Sequence, residues 1–235
     1  DLVALGTSAD LVPLRDENRV FVHYGLQTLR TTRRPGLREL LKVAKVDLDR
    51  DLSVTQVIFH VAPRINAAGR LGDANRAVEL LTTTDTVRAK ELAIELDAEN
   101  KNRQTIQQSV VDDAILMVNS TVNLEKDKAI VLGSRGWHQG VVGIAASKIK
   151  EEFNRPAIII SFDGEGNGKG SARSLKGLDL YDALRETSNH LDNYGGHAMA
   201  AGLAISESNL TDFRIAFLSH ANSTFTDADL EPTLY

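Results

Sequence analysis

The chain has no cysteine, one tryptophan, two methionines and five prolines, and it carries no apolar run of membrane-spanning length. The missing cysteines exclude disulfides, thiolate metal sites and a cysteine nucleophile. They fit a reducing compartment, and a cytoplasmic location without membrane contact is expected. No secretory leader pattern is visible. An excess of positive charge is missing too: 27 Lys and Arg stand against 32 Asp and Glu, a formal net charge of -5. Nucleic-acid binding therefore has to come from a local basic patch and from backbone amides, not from a global field. The chain also lacks an initiator Met. It opens on Asp1-Leu2-Val3-Ala4-Leu5, which reads as the middle of a strand, and a truncated chain is expected.

What is there is enough for a core. The 235 residues have room for one large domain or two small ones, and 42% apolar residues argue against disorder. Residues 2–5 read as a strand end, with Gly6-Thr7-Ser8-Ala9-Asp10 as the loop at its carboxyl end. Pro13 bars a regular helix interior, and Asp16 and Glu17 read as turn residues beside Arg15 and Arg19. The spacing predicts helices over 36–46 and 74–81, and leaves 53–59 open between helix and strand. The clearest element is a helix over 86–118, where Ala89, Leu92, Leu96, Ile106, Val110, Ala114 and Met117 recur at three- and four-residue steps. Asp85 or Thr84 suits its N-cap, and its polar surface suits a bridge between two domains. Beyond it, strands are predicted over 128–132, 156–161 and 202–206, and helices over 140–153, 179–187 and 211–218. A glycine-rich turn is expected at 163–170 and a frayed tail at 226–235. This alternation predicts a small α/β domain.

Five segments can carry chemistry. In Gly168-Lys169-Gly170-Ser171-Ala172-Arg173-Ser174, the glycines would let a phosphate reach backbone N–H groups, with an arginine fork and serine hydroxyls beside it. The same pattern also suits a hairpin with an exposed arginine. Gly195-Gly196-His197-Ala198-Met199-Ala200-Ala201-Gly202 offers a tight backbone and a histidine donor, or a turn with an ordinary histidine. In Trp137-His138-Gln139-Gly140-Val141-Val142-Gly143-Ile144, the lone Trp137 either stacks on a base, worth about 1–3 kcal/mol, or plugs the core. His138 contacts a phosphate or caps the following helix. Pro63-Arg64-Ile65-Asn66-Ala67-Ala68-Gly69-Arg70 reads as two arginines flanking a small-residue turn, a phosphate clamp or a solvated loop. Asp10 is a candidate ligand for Mg²⁺ or Mn²⁺, although nothing near it in sequence supplies the further carboxylates or histidines that a two-metal site needs.

In this order, and with Leu11-Val12-Pro13-Leu14 following Asp10, the segments resemble the RecJ exonucleases of the DHH phosphoesterase superfamily, from residue 1 to about residue 218. The double-glycine histidine segment is shared with other DHHA1-containing proteins, among them nanoRNases and cyclic-dinucleotide phosphodiesterases. The Trp137-His138 and Asn66-Ala67-Ala68-Gly69-Arg70 segments favour RecJ. The resemblance implies an α/β fold in three parts: a helical remnant of a DHH catalytic domain over 1–85, a connecting helix over 86–118, and a small DHHA1 domain with a mixed sheet over 119–225. It implies 5′-to-3′ degradation of single-stranded DNA in repair and recombination, with two Mn²⁺ or Mg²⁺ ions. A single-strand-binding protein or a helicase is implied as a further partner. It assigns Asp10 to the last metal motif, Arg70 to the substrate cleft, and Ser171, Arg173, Gly195, Gly196 and His197 to the strand and its 5′ phosphate. Asn66, Trp137 and His138 become strand contacts or their support. The Asp-His-His run that names the superfamily is absent, and none of the six histidines is adjacent to another. The expectation for this stretch is therefore strand binding without cleavage, with a non-catalytic binding module or a nanoRNase-like phosphodiesterase as the alternatives.

Overall fold

The computed structural model describes residues 1–10, 12–226 and 228–230, so the last five positions of the expected tail, with Leu11 and Asp227, lie outside the described residues. The chain divides into two units, Asp1–Gln104 and Thr105–Tyr235.

The first unit is helical throughout. Residues 2–5 do not end a strand: they start helix α1, Leu2–Ala9, capped by Asp1, whose Oδ1 accepts the Leu2 N–H at 2.7 Å. A four-residue apolar run is compatible with either element. Here Ala4, Leu5 and Ser8 share a buried face against helix α2, Asp16–Arg30, at a crossing where a Cβ on Gly25 would lie 2.4 Å from that of Ala4. Asp16 and Glu17, expected in a turn, form the first turn of α2, where the helix dipole favours acidic groups. Val22, Leu26 and Leu29 bury its inner face.

Helix α3 is Pro35–Val43, with proline at its first position. The ambiguous stretch at 53–59 is helical. Ser53 and Gln56 make a reciprocal capping box at the start of α4, Val54–Gln56, which runs through a π turn at Val57–Val61 into α5, Ala62–Leu71. Pro63 has no N–H to give to the preceding turn, and the chain meets it with the wider π turn rather than a break. The expected turn between Arg64 and Arg70 is therefore the body of a helix. Helix α6 is Asn75–Thr82; a Cβ on Gly36 would fall 1.6 Å from the Leu80 carbonyl oxygen, so α3 and α6 meet backbone to backbone.

Helix α7 runs from Thr86 to Thr121, with Asp85 Oδ1 accepting the Val87 N–H at 2.8 Å. It serves two cores in succession. Leu92, Ala93 and Leu96 are buried in the first unit, and Val110, Val111, Ala114 and Val118 in the second. The boundary between the units falls within this helix. No helix among the described residues is long and apolar enough to cross a membrane.

The second unit is built on a mixed five-stranded sheet. Strand β1 is Ile130–Ser134, helix α8 is Val142–Phe153 and β2 is Ala157–Phe162. Strand β3 is Asn167–Arg173, α9 is Leu180–Glu186, β4 is Asn193–His197, β5 is Ala200–Ser206 and α10 is Leu210–Thr224. The strand order is β1-β2-β3-β5-β4, with β1 and β2 parallel and the remaining pairs antiparallel. The glycine-rich segment expected as a turn over 163–170 turns only as far as Gly166, and from Asn167 it is strand.

The two faces of the sheet are covered differently. One face, with Val131, Ile158, Ile160, Phe162, Leu203 and Ile205, is buried with residues of α9 and α10. The opposite face places Ile130, Leu132, Ala157 and Ile159 in a core with α7 and α8. That cover stops at β3.

Candidate nucleic-acid interface

The register shows what lies beyond the cover. One row crosses the sheet through Leu132, Ile159, Ser171, Gly202 and Gly195, all on one face because directly paired residues point the same way. Along that row the sequence changes from buried aliphatic to hydroxyl to bare glycine. The neighbouring row ends Arg173, Ala200, His197, and the row on the other side ends Lys169, Ala204, Asn193. Over β3, β5 and β4 this face is thus a polar floor with almost no side-chain bulk. A Cβ on Gly195 would meet nothing within 4 Å, and one on Gly202 only the Gly170 carbonyl oxygen at 3.8 Å. A shallow depression of about 440 Å³ lies here, with Lys169, Asn193, Gly195 and Gly202 in its lining.

Arg173 stands at the covered edge of the floor. Its Nη1 donates to Ser171 Oγ and to the Ala172 carbonyl, both at 2.8 Å. Above the pair sits the first turn of α8. A Cβ on Gly143 would lie 3.1 Å from Ser171 Oγ and 3.2 Å from Arg173 Nη2, so glycine lets the helix start close against both. No side chain caps α8, and its first-turn amides carry the positive end of the helix dipole. Hydroxyl, guanidinium and helix N-terminus together form a surface suited to an anion.

Several expected roles change. Gly168 and Gly170 do not open the backbone to a phosphate. They lie on the opposite, core-side face, where Cβ atoms would come 2.5 Å from the Phe162 ring and 2.9 Å from Leu203. Their smallness serves packing. Gly196 also has a structural reason: its φ is +144°, and a Cβ there would lie 2.5 Å from the Ala201 Cα. Gly195, by contrast, is part of the open floor. His197 is exposed at the end of β4, paired with Ala200 in a hairpin.

Trp137 is buried, with 6% of its surface exposed, and its Nε1 donates to Asp113 Oδ2 at 2.7 Å. It plugs the core and leaves no ring face for a base. The Gly140 N–H donates to His138 Nδ1 at 3.0 Å, so in the neutral ring Nε2 carries the proton.

In the first unit, Asp10 ends helix α1 instead of lying in a loop after a strand. Asp10 and Asn66 line one depression of about 470 Å³, and Arg70 follows Asn66 one turn later on the same face of α5. Arg64 does not join them. It is paired with Asp97 at 2.8 Å, each side chain 15% exposed, and it also donates to the Val43 carbonyl. Among the described residues no group of three or more His, Asp or Glu converges as a metal site. Asp10 with its surroundings therefore does not fit a two-metal centre by itself.

Sequence reasoning missed Lys169, Asn193 and Asp113. The first was legible, since Lys169, Ser171 and Arg173 alternate with small residues at the strand period of two.

A family model described as the DHHA1 domain matches residues 126–223. The single-stranded-DNA-specific exonuclease RecJ of Bacillus subtilis (strain 168) is 45% identical over 233 residues, 99% of this chain. The chain is similar to RecJ along almost its whole length. RecJ from Thermus thermophilus in complex with Mn²⁺ superposes with a TM-score of 0.84 at 36% identity, covering 95% of this chain and 32% of that one. Its complex with Mg²⁺ gives a TM-score of 0.83 at the same 36% identity, covering 95% of this chain and 34% of that one. The chain spans only 29% of the Bacillus RecJ, about a third of the relatives' length. The mixed α/β architecture with its long helix is thus that of RecJ.

Proposed function

We propose that this chain is the strand-holding part of a metal-dependent single-stranded-DNA exonuclease, and that it binds the strand and its 5′ phosphate without cleaving it. The observation that carries the reading is the half-open sheet face, with Ser171 and Arg173 set against the N-terminus of α8. A terminal phosphate would take the Arg173 fork, the Ser171 hydroxyl and the α8 amides. The following nucleotides would run over Gly202 and Gly195, with Lys169 and His197 as flanking donors. A flat floor of glycine and alanine admits a single strand without selecting its sequence. Asp10, Asn66 and Arg70 belong to the other unit, and Asp10 would serve there as one ligand of a metal centre whose other ligands come from elsewhere. When bound, Mg²⁺ or Mn²⁺ would activate water and stabilise the attacking and leaving oxygens.

The test is a fluorescence-anisotropy titration with 5′-phosphorylated and 5′-hydroxyl oligonucleotides, with Mn²⁺ present and products resolved on a gel. Salt-sensitive binding that prefers the phosphorylated end, with no product, is expected. Equal affinity for the two ends removes the phosphate role, and clear cleavage overturns the assignment of binding alone.

A further inference from the structure

The candidate floor has a wall, and the wall hangs on one residue outside every motif. Trp137 is tied down twice. Its indole N–H goes to Asp113 Oδ2 on α7 at 2.7 Å, and its carbonyl accepts the Ser161 hydroxyl of β2 at 2.5 Å. Ser161 is opposite Lys169 in the β2–β3 register. Six residues after Trp137, Gly143 abuts Ser171 and Arg173. The segment over 137–143 therefore borders β3 from the Lys169 end to the Arg173 end. It carries His138, with its Nδ1 held by the Gly140 N–H, and then the first amides of α8. His138 and the first amides of α8 thus follow Trp137 within six residues of chain.

We infer that Asp113 is a positioning residue for 5′-phosphate recognition, acting through the Trp137 indole to hold the His138 loop and the start of α8 against Ser171 and Arg173. The inference rests on the strand-binding reading above. The Trp137 ring sits at 6% exposure among core residues that include Val110 and Ala146, while Asp113 is exposed, so the half-buried bond holds the indole N–H at the edge of the core, and an apolar side chain in place of Asp113 would cover that N–H without accepting from it. Without the Asp113 carboxylate, the loop shifts to bring the indole N–H to water, and the wall moves with it.

The experiment uses the full-length protein that carries this chain and measures binding and turnover on 5′-phosphorylated and 5′-hydroxyl single strands. D113L is expected to lose about tenfold of the preference for the phosphorylated end, equivalent to about 1.4 kcal/mol. Its KM for that end rises while kcat holds. D113N keeps an acceptor oxygen and retains the preference. In a W137F background there is no indole N–H to satisfy, and D113L has no further effect on end preference. Retained preference in D113L overturns the inference, as does equal loss in D113N, or a full D113L effect in the W137F background. R173A is the control. If R173A keeps the preference, the strand-binding reading itself falls; if R173A loses it and D113L keeps it, only the role of Asp113 falls.

Discussion

Arg173 reaches back along its own strand to donate to Ser171 Oγ at 2.8 Å, so the only hydroxyl on that row of the sheet and the guanidinium next to it act as one unit. Period-2 geometry puts both on the open face. R173A in the full-length protein is expected to lower the slope of log affinity against log salt by about 0.7 for a single strand with a 5′ phosphate, one phosphate contact's worth. R173K keeps the charge and most of the slope but loses the planar fork, and with it the discrimination between phosphate and hydroxyl ends. An unchanged slope in R173A would falsify the contact.

Two glycines of one hairpin separate binding from folding. Gly202→Val projects a side chain into open space, and a strand interior gains up to about 1 kcal/mol when glycine is replaced. Its melting temperature should hold or rise while single-strand affinity falls by about tenfold, about 1.4 kcal/mol. Gly196→Ala meets a φ of +144° and the Ala201 backbone, and should destabilise the second unit by about 2–3 kcal/mol. Thermal melts paired with anisotropy on both variants check this; equal effects on both observables would sink the distinction.

In the first unit, Gly36→Ala places a methyl 1.6 Å from the Leu80 carbonyl oxygen. Backbone cannot give as a flexible side chain can, so helices α3 and α6 must separate. A loss of about 3 kcal/mol or more is expected in urea unfolding. A variant of wild-type stability would mean that the α3–α6 contact is not as close as described.

The Asp97 carboxylate makes the first unit sensitive to acid. Burial opposes its ionisation, but Lys101 and Arg64 outweigh burial and hold its carboxyl below the usual carboxylate range. Its folded pKa is lowered, so its contribution is full above the unfolded value of about 3.9 and is lost as pH falls through the lower folded value. D97N should therefore flatten the stability profile below about pH 4. At neutral pH it should cost about 2–3 kcal/mol, less than for a fully buried pair because each side chain is 15% exposed. Denaturant melts across that pH range decide it: parallel profiles for D97N and the wild type would remove the role.

Much of the second unit was legible in the sequence. The β-branched run of β2, the long helix and the strand–helix alternation follow from periodicity that tertiary packing did not override. The first unit was harder. Four apolar residues after Asp1 fit a strand or a helix, and only the buried contact of Ala4 near Gly25 decides for the helix. The capping box of Ser53 and Gln56 was readable and would have settled 53–59 as helical. In the candidate site, Ser171, Arg173, Gly195 and His197 share one face as strand spacing allows. The reason for Gly168 and Gly170 was not readable, because it is the Phe162 ring and Leu203 packed against them. Asp113 was not readable either, since 24 positions and a change of element separate it from Trp137.

The row from Leu132 to Gly195 has a consequence for how such a protein can change. On a single face of a single sheet, positions 132 and 159 are committed to the core, while 202 and 195 face almost no packing constraint. On the reading that this face holds a single strand, drift at the open-face positions of β4 and β5 can retune how tightly it is held at little cost to folding, whereas Gly196, Leu203 and Ile205 on the same strands are tied to packing. The same drift two strands away is purged. Libraries aimed at altered strand binding belong at 193, 195, 202 and 204, the open-face positions of β4 and β5.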